Sequence, residues 1–115
     1  MTNNVRINKI NDIIKKELSQ IILYEIKDPR INLIYISYVK TDKNLQNSKI
    51  YFTHLMNDDN FYYLNLLNKA KNFFRFRLSK YLDIYSIPKL NFYIDPTIKN
   101  IIKIEKILKN LNLNE

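Results

Sequence analysis

Lys69, Lys71, Arg75, Arg77 and Lys80 place five positive charges within twelve residues, interleaved with Phe73, Phe74 and Phe76. No acid occurs between Asn60 and Leu82. Cations bind phosphates and flat rings stack on bases, so this mixture on a helical scaffold is the chemistry of a nucleic-acid surface. At about 100° per residue, Phe74, Leu78, Tyr81 and Leu82 share one helix face and read as core. Phe73, Phe76, Arg77 and Lys80 fall on the flank or the opposite side, with Arg75 at the boundary. Arg77 and Lys80 are therefore expected to reach RNA. Phe73 reads better as packing against the preceding helix, and for Phe76 packing and base stacking weigh equally. Ala70, the only alanine, and Asn72 mark the place where the apolar phase changes and a bend is expected.

Other chemistry is missing. His54 is the only histidine, at a strand end with no cysteine or HExxH spacing nearby, and reads as a partly exposed side chain rather than a metal ligand. Asp58 and Asp59 are adjacent at a helix start and read as caps, not as a catalytic pair. There is no GxSxG serine, and the total absence of glycine excludes every phosphate-cradling glycine loop. Positive-φ positions are expected to fall to Asn or Asp. No enzyme activity, cofactor or metal is expected.

Nineteen bases against eleven acids give a net charge of +8, which favours polyanions: RNA, DNA or an acidic membrane surface. That total is weak evidence, because Asn, Lys, Ile and Tyr, all written in A/T-rich codons, abound while glycine is absent. The clustering is better evidence than the sum. Without cysteine there is no disulfide or thiolate site, consistent with a reducing cytoplasm. The charged N-terminus has no signal-type apolar stretch, and runs such as Ile34–Val39 are too short to span a bilayer. The reading is a soluble, cytoplasmic protein. At 115 residues it forms one domain able to bury roughly two-thirds of its unfolded surface.

Ile7, Ile10, Ile14, Leu18, Ile21 and Ile22 recur at steps of three and four, predicting an amphipathic helix from Val5 to about Ile26. Asp28-Pro29-Arg30 ends it. Leu33–Val39 and Ser48–Leu55 read as an antiparallel hairpin turned at residues 41–44. Asp58, Asp59 and Asn60 open a helix carrying Phe61, Leu64, Leu67 and Ala70. After the bend, Pro88–Ile94 is a third strand. Asp95-Pro96-Thr97 opens a C-terminal helix or frayed tail over residues 97–115, with Ile98, Ile101, Ile104, Leu108 and Leu111 on one side. The fold class is α+β, a three-stranded sheet packed by helices in the order α-β-β-α-kink-α-β-α.

With these residues in hand, the chain resembles the ribosome-binding factor A family of bacterial small-subunit maturation factors, over nearly all of residues 5–111. The marks are the Arg6 helix, Asp28-Pro29-Arg30-Ile31, Val39…Leu45…Ser48-Lys49-Ile50-Tyr51-Phe52, Ala70-Lys71-Asn72-Phe73-Phe74-Arg75, and Ile87-Pro88-Lys89-Leu90-Asn91-Phe92…Asp95-Pro96-Thr97. The resemblance implies a single KH-like domain of the second topological type. It also implies an Ala-x-Gly bend in place of the usual glycine loop, with Asn72 standing in for the glycine at positive φ. Asn44, Ser48 and Thr97 are mild departures from the family pattern. The expected partners are the small ribosomal subunit and its precursor rRNA, bound by a free monomer without membrane contact, to assist late rRNA processing. The expected RNA-binding set is Lys69, Lys71, Asn72, Phe73, Arg75, Phe76, Arg77 and Lys80. The alternatives are a basic protein–protein interaction module and an RNA binder with no ribosomal role.

Overall fold

The computed structural model describes residues 2–56, 59–84, 86–96 and 109. The expected helix over 97–115 (apart from Lys109) and the expected cap at Asp58 lie outside the described residues. The first helix, α1 (Thr2–Gln20), runs into a π-helical turn, Ile21–Glu25. Ile10, Ile14 and Leu18 form its buried stripe, and both Ile21 and Ile22 are buried at its end. The widened turn, closed by the Ile26 N–H donating to the Ile21 carbonyl at 3.2 Å, adds a residue to the helical repeat. That lets two consecutive side chains face inward.

A short helix absent from the sequence reading follows, α2 (Pro29–Asn32). Asp28 caps it by accepting from the Arg30 N–H at 3.0 Å, and proline occupies the first turn where no N–H is needed. Arg30 folds back on Asp28 in an ion pair of 2.6 Å and donates to the Tyr62 hydroxyl. The side-chain hydrogen bond from Arg30 holds the Asp28 carboxyl below its ordinary pKa. Asn32 donates to the Ile22 carbonyl at 2.7 Å and the Ile26 carbonyl at 3.1 Å. It thereby satisfies acceptors that the end of the first helix leaves open.

The sheet contains β1 (Ile34–Thr41), β2 (Asn47–His54) and β3 (Lys89–Ile94) in the order β1-β2-β3. The β1–β2 pair is antiparallel and the β2–β3 pair parallel, so a helical crossover must join the last two strands. Ile34, Ile36, Val39, Ile50, Phe52, Leu90 and Phe92 point into the core against the helices. In the β1–β2 loop, Asp42 accepts from the N–H groups of Gln46 and Asn47 at 2.9 and 3.2 Å. Leu45 in this loop has φ 59° and is the only described residue with positive φ. The expectation that Asn or Asp would take such positions fails here. Leu45 packs part of its side chain on the core, offsetting a strain of about 1–2 kcal/mol.

The crossover is α3 (Asn60–Lys69) and α4 (Lys71–Leu78). Asp59 caps α3 by accepting from the Tyr62 N–H. Tyr63 and Leu67 are buried, while Phe61 is 73% exposed and Tyr81 46% exposed, so both Phe61 and Tyr81 leave the faces expected of them. His54 is also corrected. It is buried, 2% exposed, with Nε2 2.8 Å from the Arg30 carbonyl oxygen, Nδ1 accepting from the Met56 N–H, and its ring stacked on Tyr63.

Candidate nucleic-acid interface

The expected bend exists, but its hinge is Ala70. Ala70 has φ −94° and ψ 3°, the bridge region, which an ordinary residue enters without a left-handed turn. Its N–H is shared between the Leu66 and Leu67 carbonyls at 3.2 and 3.1 Å, and its own carbonyl accepts from Phe74 N–H at 3.1 Å. One helix thus stops and the next begins around a single residue. Alanine suits this position because no side chain beyond Cβ enters the crowded joint. Asn72, expected at positive φ, is instead an exposed residue inside α4. The geometry needs no glycine substitute there.

The two arginines of the cluster are tied to the fold. Arg75 donates from Nε to the Pro88 carbonyl at 3.1 Å and from Nη2 to the Ile87 carbonyl at 2.8 Å. Its boundary position is as expected, and its charge clamps the segment leading into β3. Arg77 pairs with Glu25 of the π-helical turn at 2.7 Å, its Nε buried without a partner among the described residues. A guanidinium so held is not a loose surface charge: the fold uses it to tie α4 to the π-helical turn.

The lysines differ. Lys69 and Lys80 are exposed and Lys71 is half-buried; none joins an ion pair among the described residues. Lys80 Nζ lies 5.9 Å from the centre of the Phe76 ring, which is 66% exposed. Phe73 lies against Phe74 at 5.8 Å but keeps 45% of its surface exposed. The α3–α4 joint thus carries a basic and aromatic surface: Phe76 and Lys80 lie together, Lys71 and Asn72 line one groove with Arg75, and Lys69 and Phe73 are exposed.

Two grooves extend it. One, of about 270 Å³, lies between α4 and β3 and is lined by Lys71, Asn72, Arg75, Lys89, Leu90 and Asn91. The other, of about 720 Å³, is lined by residues that include Arg6, Gln46, Arg75, Ile87 and Lys89. No carboxylate lines either groove among the described residues. Such walls suit a polyanion whose phosphates replace the missing counter-charges. Arg6 and Lys89 were outside the expected binding set. Each is isolated in sequence, and only the packing of α1 and β3 brings them beside Arg75. Among the described residues no group of His, Cys, Asp and Glu has a metal-binding arrangement, and no helix is long and apolar enough to cross a membrane.

Comparisons with known proteins agree with this architecture. The family model described as Ribosome-binding factor A matches residues 6–108. A ribosome-binding factor A from Syntrophobacter fumaroxidans is 31% identical over 113 residues, covering 96% of this chain and 97% of that one. The crystal structure of ribosome-binding factor A from Thermus thermophilus superposes with a TM-score of 0.67 at 19% identity, covering 76% of this chain and 93% of that one. A homology model of the factor from the same organism, fitted into a cryo-EM map of a 30S complex, superposes with a TM-score of 0.59 at 21% identity, covering 70% and 86%. These neighbours have the KH-like fold, so the α-β-β-α-α-β order, the mixed sheet and the matched family model lead to one assignment. The chain belongs to the ribosome-binding factor A family.

Proposed function

We propose that the protein binds the small ribosomal subunit and its precursor rRNA through the basic surface of the α3–α4 joint, assisting late rRNA processing without catalysing a reaction. It acts in the cytoplasm as a single-domain monomer. The observation that carries this reading is the pair of grooves beside α4, lined by Arg6, Lys71, Arg75 and Lys89 with no carboxylate among the described residues, in a chain of this family. The relative fitted into a 30S complex lends support. Binding stabilises whichever RNA conformation offers its phosphates to this surface, so the folding equilibrium of the precursor moves towards that conformation. No bond need be made or broken.

Sedimentation with purified small subunits at stepped salt concentrations tests the reading. Binding should weaken steeply with salt, each lost phosphate contact lowering the log–log slope by about 0.7–0.9. Lys69→Glu combined with Lys80→Glu should abolish co-sedimentation and leave the thermal melt nearly unchanged, since both side chains are exposed and form no ion pair among the described residues. Salt-independent binding, or a double variant that sediments like the parent, would remove the joint from the contact surface.

A further inference from the structure

The sheet face turned away from the helices carries an ordered set of side chains that the α3–α4 reading does not use. Tyr38 of β1, Tyr51 of β2 and Tyr93 of β3 lie opposite one another across all three strands. Tyr38 and Tyr51 stack at 4.2 Å with 13° between planes, and Tyr51 and Tyr93 at 5.6 Å with 27°. The alignment depends on a bulge. The β1–β2 register passes from Ile36↔Phe52 to Tyr38↔Tyr51, so Ser37 is an extra residue, its Oγ donating to the Tyr51 carbonyl at 3.1 Å. Without that extra residue, strict alternation would turn Tyr38 inward.

The next row is Lys40, Lys49 and Asn91, and Lys89 follows opposite Asn47. Lys40 and Lys49 face each other directly, an arrangement of like charges that disfavours the fold. Lys49 Nζ also sits 5.7 Å from the Tyr93 ring centre. A depression of about 370 Å³ opens beside the rings, its lining including Lys40, Asp42, Lys49, Asn91 and Tyr93. Asp42, its one carboxylate among the described residues, is engaged by the Gln46 and Asn47 N–H groups. Tyr38 and Tyr93 are 42% and 41% exposed. Partial burial, together with Tyr51 and Asp95, pushes the Tyr38 phenol above its ordinary value.

We infer that this open sheet face is a second RNA site, which takes a short unpaired strand by stacking its bases on the Tyr38–Tyr51–Tyr93 row and seating its phosphates on Lys40 and Lys49. Bases locked in a duplex cannot extend a ring stack, so the ligand is single-stranded. The like-charge lysine pair, costly in the free protein, is neutralised by the strand's backbone. The preference for RNA over DNA rests on the function proposed above; the preference for unpaired bases does not.

Fluorescence anisotropy with an end-labelled, unstructured RNA of about ten nucleotides tests this site separately from subunit binding. The full-length protein should bind it at least about ten-fold more tightly than a blunt duplex of equal length. Tyr38→Leu and Tyr93→Leu should each weaken binding about five-fold or more, while Tyr38→Phe and Tyr93→Phe, which keep the rings, should bind like the parent. Lys49→Gln should reduce the salt slope by about 0.7. Lys69→Glu with Lys80→Glu should lose small subunits but retain the short strand, so either site can fail alone. Equal affinity for strand and duplex, leucine variants that bind like the parent, or phenylalanine variants as weak as the leucine ones would overturn the inference. A fall in melting temperature for Tyr93→Leu with unchanged binding would overturn it too, making the rings a packing seam for protein.

Discussion

The α3–α4 joint and the open sheet face both carry positive charge beside aromatic rings, but they hold it differently. On the joint, Arg75 is clamped to two carbonyls and Arg77 to Glu25, leaving the lysines for a partner. On the sheet, Lys40 and Lys49 join no ion pair among the described residues and face each other across the ladder. A guanidinium holds several acceptors in fixed geometry, whereas an ammonium on a flexible stem remains hydrated and mobile. In these two regions the arginines are bound into the fold, whereas the lysines form no ion pair among the described residues. Substituting each type should therefore move stability in opposite directions.

The largest effect is expected at Arg75. Arg75→Met keeps the aliphatic stem but abandons the partly buried carbonyls of Ile87 and Pro88. Hydrogen bonds to charged groups contribute about 1.5–3 kcal/mol, so we expect a loss of about 2–3 kcal/mol in urea unfolding, with an unchanged m-value. A loss below about 0.5 kcal/mol, the range of ordinary surface substitutions, would place Arg75 with the lysines and dissolve the contrast.

Arg77 comes next. Its pair with Glu25 is only partly shielded, with side-chain exposures of 27% and 33%, so screening limits its contribution. Arg77→Glu sets two carboxylates against each other and should cost about 1–2 kcal/mol. Adding Glu25→Arg should restore most of it, a coupling that a double-mutant cycle reads directly. If the double exchange restores nothing, the cost comes from packing of the arginine stem rather than from charge.

How much of this was legible depended on whether the signal was local. The stripe through Ile10, Ile14 and Leu18, the three strands and the existence of a bend all follow from periodicity within short windows. The hinge residue did not, because a change of apolar phase locates a break only to within a few residues. Ala70 also meets the geometry in the bridge region, without the positive φ that pointed to Asn72. Residues 61–67, apolar at all but Asn65, offered no unique helix face, so Tyr63 could not be preferred to Phe61. The Arg77–Glu25 pair and the tyrosine row join residues far apart in sequence. The Ser37 bulge that aligns that row shows in the sequence only as a change of apolar phase, from Ile34 and Ile36 to Val39, which a strand read from its β-branched and aromatic composition passes over.

Asn72 sharpens the hinge assignment with a smaller effect. Inside α4 and exposed, it gains nothing from glycine's freedom, so Asn72→Gly should destabilise by a few tenths to about 1 kcal/mol, whereas Asn72→Ala should be neutral or slightly stabilising. Stabilisation by glycine would indicate a left-handed backbone at residue 72 and return the hinge to that position.

The smallest effect has the opposite sign. Lys40 lies across the β1–β2 ladder from Lys49, and like charges placed directly opposite oppose folding by a few tenths of a kcal/mol. Lys40→Gln relieves that repulsion while keeping a long polar side chain, so the melting temperature should rise by about 1–2 °C at low salt. The rise should fade as added salt screens the pair, since both side chains are exposed to solvent. A salt-sensitive gain would mark the lysine pair as a feature the free protein tolerates rather than uses. A fall in melting temperature would mean that Lys40 is held by the fold as Arg75 is, and the distinction between the two faces would not survive.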